Sequence, residues 1–167
     1  PWDKKSLAFL ENYGIRAYKV ASADLTNLDL LDAIAKTGKP IIVSTGMSLE
    51  NEILDAVRCL ESNSSPFAFL HCNSTYPTPY EHINLPYISR LKTLTKTVVG
   101  YSGHERGFEI PVAAVALGAK IIEKHLTVDK AQEGTDHKVS LLPGELKKMI
   151  SYIRHTEAAL SNEANER

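Results

Sequence analysis

Five short apolar runs alternate along this chain with amphipathic stretches, and every run ends in polar side chains. Ala17–Ser22, Lys39–Ser44, Phe67–Cys72, Thr97–Ser102 and Lys120–His125 read as strands. Spacing predicts helices over Lys4–Tyr13, Leu28–Lys36, Leu49–Leu60, Leu85–Leu94, Glu109–Leu117 and Leu142 to about Leu160. Gly14 and Gly38 stand where a left-handed helix cap wants glycine. Ser48 is the expected N-cap of the third helix, with Asn51 at the capping-box position. Leu7, Leu10 and Tyr13 are expected to form the inner face of the first helix. Strands followed by helices, at a period of roughly 25–30 residues, imply a parallel sheet covered by helices.

Two architectures meet that description: an open doubly wound sheet and a (β/α)8 barrel. The GxGxxG turn of a dinucleotide-binding open sheet is absent. Polar residues recur at the C-terminal end of every strand: Lys19 and Ser22, Ser44 and Thr45, His71 to Ser74, Ser102 and His104, Glu123 and His125. An open sheet concentrates its site at one switch point, whereas a barrel collects residues from all strand ends. The expectation is therefore a (β/α)8 TIM barrel. A full barrel needs about 200 residues or more, so about three N-terminal strands are expected to be missing. The expected division is a partial barrel over 1–160 and a polar tail over 161–167. The chain starts Pro-Trp-Asp without a Met, consistent with that expectation.

Composition narrows the partners. Nineteen Lys and Arg face 20 Asp and Glu, for a formal net charge of −1, with both signs spread along the chain. That argues against a broad nucleic-acid surface but leaves room for a local basic pocket that takes a phosphorylated metabolite. No run is long enough to span a bilayer, and no segment reads as a signal peptide, so no membrane partner is expected. Cys59 and Cys72 form no CxxC pair and read as reduced thiols of a cytoplasmic protein.

Two runs carry most of the chemistry. Gly100-Tyr101-Ser102-Gly103-His104 puts a hydroxyl and an imidazole at one strand end, and Glu123-Lys124-His125 puts three ionisable groups at the next. Such groups are costly to bury unless they are paired or bind something. Adjacent strands bring His104 and His125 together, and two imidazoles on one side suit Mn, Fe, Co or Zn with open positions. The alternative is that each His only hydrogen-bonds within the rim. The loop His71 to Pro79 offers Ser74 and Tyr76 on a backbone stiffened by Pro77 and Pro79. Ser44-Thr45-Gly46-Met47 is a strand–helix junction that favours an anion. Lys19 offers a point charge to a phosphate or carboxylate. Asp24 and Asp136 lie in loops past strand ends, placed either to bind a sugar hydroxyl or to cap a turn.

In order and spacing, these segments resemble the N-acetylneuraminate (sialic acid) synthase family: 19–27, 39–47, 71–79, 100–104, 123–127 and 134–137. The resemblance runs from about Pro1 to Ile150. It implies a barrel enzyme that condenses phosphoenolpyruvate with an N-acetylated aldose, N-acetylmannosamine or a relative, and releases phosphate. Legionaminic acid, pseudaminic acid or a spore-coat sugar are alternative products, and a non-catalytic oligomeric binding module is a further alternative. By match, His104 and His125 would hold a divalent metal, usually manganese, and with Tyr76 form the catalytic set. Lys19, Ser22, Ser44, Ser74 and Ser102 would contact phosphoenolpyruvate, while Asp24, Tyr76 and Asp136 would contact the sugar. A homodimer is implied, in which a C-terminal antifreeze-like domain absent from this chain reaches over the partner's site with an Arg. The early strands of the family supply a catalytic Glu and a phosphate-binding Lys. Two departures stand out. Ser74 replaces an Asn found in some members, and Gly103 stands where the family usually has Asp. Loss of that carboxylate is expected to weaken a metal site unless Glu105 makes it good.

Overall fold

The computed structural model describes residues 1–161, so the expected polar tail lies outside the described residues from 162 onward. Five strands alternate with six α-helices: α1 Lys4–Asn12, β1 Tyr18–Val20, α2 Leu28–Ala35, β2 Ile41–Ser44, α3 Glu50–Ser62, β3 Phe67–Cys72, α4 Tyr87–Thr95, β4 Val98–Gly103, α5 Glu109–Ala116, β5 Ile122–Lys124 and α6 Pro143–Leu160. The strands form one sheet in the order β1-β2-β3-β4-β5, every pair parallel.

Alternation along each strand separates two chemistries. Tyr18, Val20, Ile41, Val43, Phe69, Val99 and Tyr101 turn toward the helices and join one apolar core with Leu31, Ile34, Ile53, Leu60, Ile88 and Leu91. Each such fully buried aliphatic or aromatic side chain contributes about 1.5–3 kcal/mol relative to exposure. Lys19, Ser44, Cys72, Ser102 and Glu123 turn to the opposite face and line a cavity. A one-residue slip in register would exchange the two sets, so the pattern holds the register firmly. A smaller core of Val115, Leu141, Met149 and Ile153 ties α6 to α5.

The sheet is curled. Four strand spacings would hold β1 and β5 about 19 Å apart in a flat sheet. Yet Lys19 Nζ on β1 stands 3.4 Å from Glu123 Oε2 on β5. Two side chains cannot bridge a flat sheet of that width, so the five strands follow the arc of a half-barrel.

Two local expectations are corrected. Ser48 does not cap α3; Leu49 occupies the cap position, and Glu52 reaches back to accept from the Leu49 N–H at 2.7 Å. The capping-box acid is thus Glu52 rather than Asn51. Tyr13 does not face inward; it is the C-cap of α1, 72% exposed, stacked on Phe9 with ring centroids 4.9 Å apart.

Candidate active site

The strand ends converge on one cavity of about 320 Å³. Lys19, Ser22, Ser44, Ser74, Tyr76, Ser102, His104 and His125 all line it. Asp24 and Asp136 do not: Asp24 sits in a short 3₁₀ turn after β1 with Oδ2 buried and unpartnered, and Asp136 lies on the loop beyond β5. That loop is anchored where the Leu141 N–H donates to the His125 carbonyl at 2.8 Å and the Thr127 N–H to the Leu141 carbonyl at 2.9 Å. The anchoring brings Asp136 Oδ2 to 3.5 Å from His125 Nδ1.

The two histidines meet as their strand-end positions require. Their ring centroids are 5.1 Å apart and the rings are nearly perpendicular. His104 Nδ1 lies 2.7 Å from the Asn73 carbonyl, which fixes Nδ1 as the protonated nitrogen and leaves the Nε2 lone pair free. Tyr76 packs over this pair, 4.0 Å from the His104 ring and 5.8 Å from the His125 ring. Two imidazoles, one with its tautomer set and the other beside a carboxylate, fit a divalent metal of the Mn or Fe type with open positions. Among the described residues no group of three or more His, Cys, Asp or Glu gathers around a point. Among the described residues, His104 and His125 are the adjacent pair with the chemistry to take part in such a site.

The rest of the cavity suits an anion. Lys19 brings the cation, which in this structure stands 3.4 Å from the Glu123 carboxylate that an anion would displace. Ser44 Oγ is buried with no partner, a hydroxyl left for a ligand. Ser22 Oγ accepts from the Gly46 N–H at 3.0 Å. An added Cβ at Gly46 would fall 2.5 Å from Ser74 Oγ and 3.0 Å from both Cys72 Sγ and Ser22 Oγ, so glycine lets the junction approach this closely. Burial pushes the Cys72 thiol and the Tyr76 phenol above their ordinary values, keeping both protonated near neutrality.

Sequence reading assigned no role to Glu123, which lines the cavity between Lys19 and Ser102, the latter at 3.2 Å. Its place on a strand, two residues before His125, was the available signal. Trp2 and Met47 also line the cavity, brought there by chain path rather than by any local pattern. Glu105 does not support either imidazole directly. It is fully buried on the helix side, paired with Lys124, and the Asn73 carbonyl orients His104 instead.

His71 faces away from the cavity, with Nε2 2.6 Å from the Ile83 carbonyl. Burial pushes both His71 and His104 below their ordinary 6.5. Below that value the unfolded chain takes up protons that the native chain refuses, so stability is full above it and is lost as the pH falls further. The melting temperature is expected to drop between pH 7.5 and pH 5.5, and to drop less in His71→Gln. An equal drop in both proteins would remove His71 from the explanation.

A family model described as the NeuB family matches residues 1–165. The N,N'-diacetyllegionaminic acid synthase of Campylobacter jejuni is 44% identical over 97% of this chain and 49% of its own length. The N-acetylneuraminate-9-phosphate synthase of Homo sapiens is 40% identical over 96% of this chain and 45% of its own. The chain thus spans about half the length of the curated relatives it matches. The crystal structure of N-acetylneuraminic acid (sialic acid) synthetase from Leptospira borgpetersenii, in complex with citrate, matches with a TM-score of 0.95 at 40% identity, covering 100% of this chain and 59% of that one. A family match along nearly all of its length, joined to a fold this similar to that of a sialic acid synthetase, means that the chain belongs to the NeuB family.

Proposed function

We propose that the full-length protein carrying this chain condenses phosphoenolpyruvate with an N-acetylated aldose, N-acetylmannosamine or a related sugar. The products are a nine-carbon 2-keto acid and inorganic phosphate. One observation carries the reading: a single cavity gathers a lysine, four serine hydroxyls and two adjacent imidazoles. These five strands would then be part of a closed (β/α)8 barrel, with the site at the C-terminal ends of its strands.

Lys19, Ser22, Ser44, Ser74 and Ser102 bind the phosphate and carboxylate of phosphoenolpyruvate. Tyr76 holds the sugar with its protonated phenol as a donor, and Asp136 meets it from the loop that places Oδ2 3.5 Å from His125 Nδ1. His104 and His125 would hold a divalent metal such as Mn²⁺, which when bound would supply Lewis-acid polarisation of the sugar's aldehyde. So arranged, the residues present C3 of phosphoenolpyruvate to the aldehyde carbon, where the new C–C bond forms. Water adds at C2, and phosphate leaves as the 2-keto group forms.

The relatives are named for different products, a legionaminic acid in one and N-acetylneuraminate 9-phosphate in another. That supports the reaction class and leaves the acceptor sugar to experiment. Incubation of the full-length protein with phosphoenolpyruvate, Mn²⁺ and a panel of N-acetylmannosamine and diacetamido-hexoses is expected to release phosphate only when a sugar is present. Absence of release with every N-acetyl sugar overturns the proposal and favours a non-catalytic binding module.

A further inference from the structure

Behind the two imidazoles, on the helix side of the sheet, lies a buried ion pair that the proposed reaction does not use. Lys124 Nζ donates to Glu105 Oε1 at 2.9 Å and also to the Glu105 backbone carbonyl. Tyr101 Oη donates to Glu105 Oε2 at 2.7 Å. The Lys124 and Glu105 side chains are 1% and 0% exposed. Each partner adjoins one histidine: Glu105 follows His104, and Lys124 precedes His125. The β4–β5 ladder stops at the pair Gly103 and Lys124, one residue short of both histidines. Beyond that point the ion pair ties the two strand ends together.

Gly103 explains how the pair fits. It is the cross-strand neighbour of Lys124, and a Cβ added there would fall 2.7 Å from each carboxylate oxygen of Glu105 and 2.8 Å from Cε1 of the Tyr101 ring, which must turn slightly to admit a side chain at 103. The Glu105 carboxylate, with the edge of the Tyr101 ring, thus fills the space that a side chain at position 103 would take. The same volume beside Lys124 can be reached from either position, but not from both at once.

We infer that the Glu105–Lys124 pair is a positioning brace that sets the spacing of His104 and His125, and that a carboxylate at position 103 can replace the one at 105. The inference deepens the proposed function, since it rests on those histidines being the metal-holding pair.

The test uses the full-length protein and three readouts: ring ¹H–¹⁵N correlations of His104 and His125 without metal, Mn²⁺ affinity by electron paramagnetic resonance, and kcat against KM for phosphate release. Glu105→Ser is expected to shift and broaden both ring signals and to weaken Mn²⁺ binding at least about tenfold. Gly103→Asp alone crowds two carboxylates and lowers the melting temperature. The double variant Gly103→Asp/Glu105→Ser recovers the ring signals and the affinity of the natural protein. Should Glu105→Ser fail to fold, Glu105→Met/Lys124→Met removes both charges at similar volume, a change that cores accept. It is expected to fold with a weakened metal site. Unchanged ring signals and affinity in that folded variant overturn the brace, as does a double variant no better than Glu105→Ser. If the natural protein binds no Mn²⁺, the functional reading falls, while the ring signals still decide the brace.

Discussion

His125→Ala in the full-length protein is expected to abolish Mn²⁺ binding and to lower the rate of phosphate release about a thousandfold, with little loss of fold. The magnitude follows from the role. A Lewis acid stabilises charge developing on the aldehyde oxygen by several kcal/mol, and about 4 kcal/mol is a factor of roughly a thousand. The small structural effect follows from position. His125 lies past the end of β5, is only partly buried, and its ring meets Tyr76, His104 and the Asp136 carboxylate rather than the apolar core. His104→Ala is expected to lose as much activity and more stability. His104 is buried, and its loss leaves the Asn73 carbonyl with only the long 3.4 Å contact from the Thr78 hydroxyl, a cost of about 1 kcal/mol. Metal titration, phosphate-release kinetics and thermal melting on both variants check this. A His125→Ala protein that keeps a tenth of the natural rate would end the metal-holding assignment.

Gly100→Ala should have the largest effect on stability. Gly100 lies in the middle of β4, and its added Cβ would stand 2.3 Å from the Ile121 carbonyl oxygen, 2.5 Å from Leu70 Cδ2 and 2.8 Å from Ile121 Cβ. Leu70 has rotamers to try. The Ile121 carbonyl does not move freely, because it accepts from the Tyr101 N–H at 2.8 Å and so belongs to the β4–β5 junction. Relief therefore breaks that bond or pushes β5 away from β4. A loss of about 3 kcal/mol or more is expected, the upper end for overpacked sites, with a melting temperature lower by roughly 6–12 °C. Gly144→Ala is the matched control. It lies in the first turn of α6 with open space around its Cβ, and should be neutral or slightly stabilising. Equal melting temperatures for the two variants would refute the crowding argument.

The strands were legible because each is an apolar run closed off by Gly, Pro or hydroxyl residues, and Phe67–Cys72 agrees with its expected bounds at both ends. Candidate site residues on strands were legible for the same reason. Period two puts Lys19, Ser44 and Ser102 on the face away from the helices, and the cavity is there. Past the strand ends the outcome divides: Ser22, Ser74, Tyr76, His104 and His125 line the cavity, whereas Asp24 and Asp136 do not. Asp136 approaches His125 through hydrogen bonds of Leu141 and Thr127, and no local pattern announces them. The partner of Glu105 was not legible, because Glu105 stands two residues past β4, where alternation no longer tells which side of the sheet a carboxylate takes. Tyr13 fits the helical period of α1, yet the helix closes at Asn12 and Tyr13 turns out to solvent. Ser48 is a good cap by residue type, but Glu52 satisfies the first free N–H from inside the helix and shifts the start by one residue.

The contact between Lys19 and Glu123 that reveals the curl of the sheet also governs how a ligand enters. An anion drawn to Lys19 would not add to a lone cation; it would exchange with a carboxylate already present. Salt weakens the arriving contact and the departing one together, so occupancy is buffered against ionic strength more than a lone lysine would allow. The exchange would also have a by-product: Glu123, freed from its cation but still accepting from the Ser102 hydroxyl, would stand as a carboxylate two residues from His125.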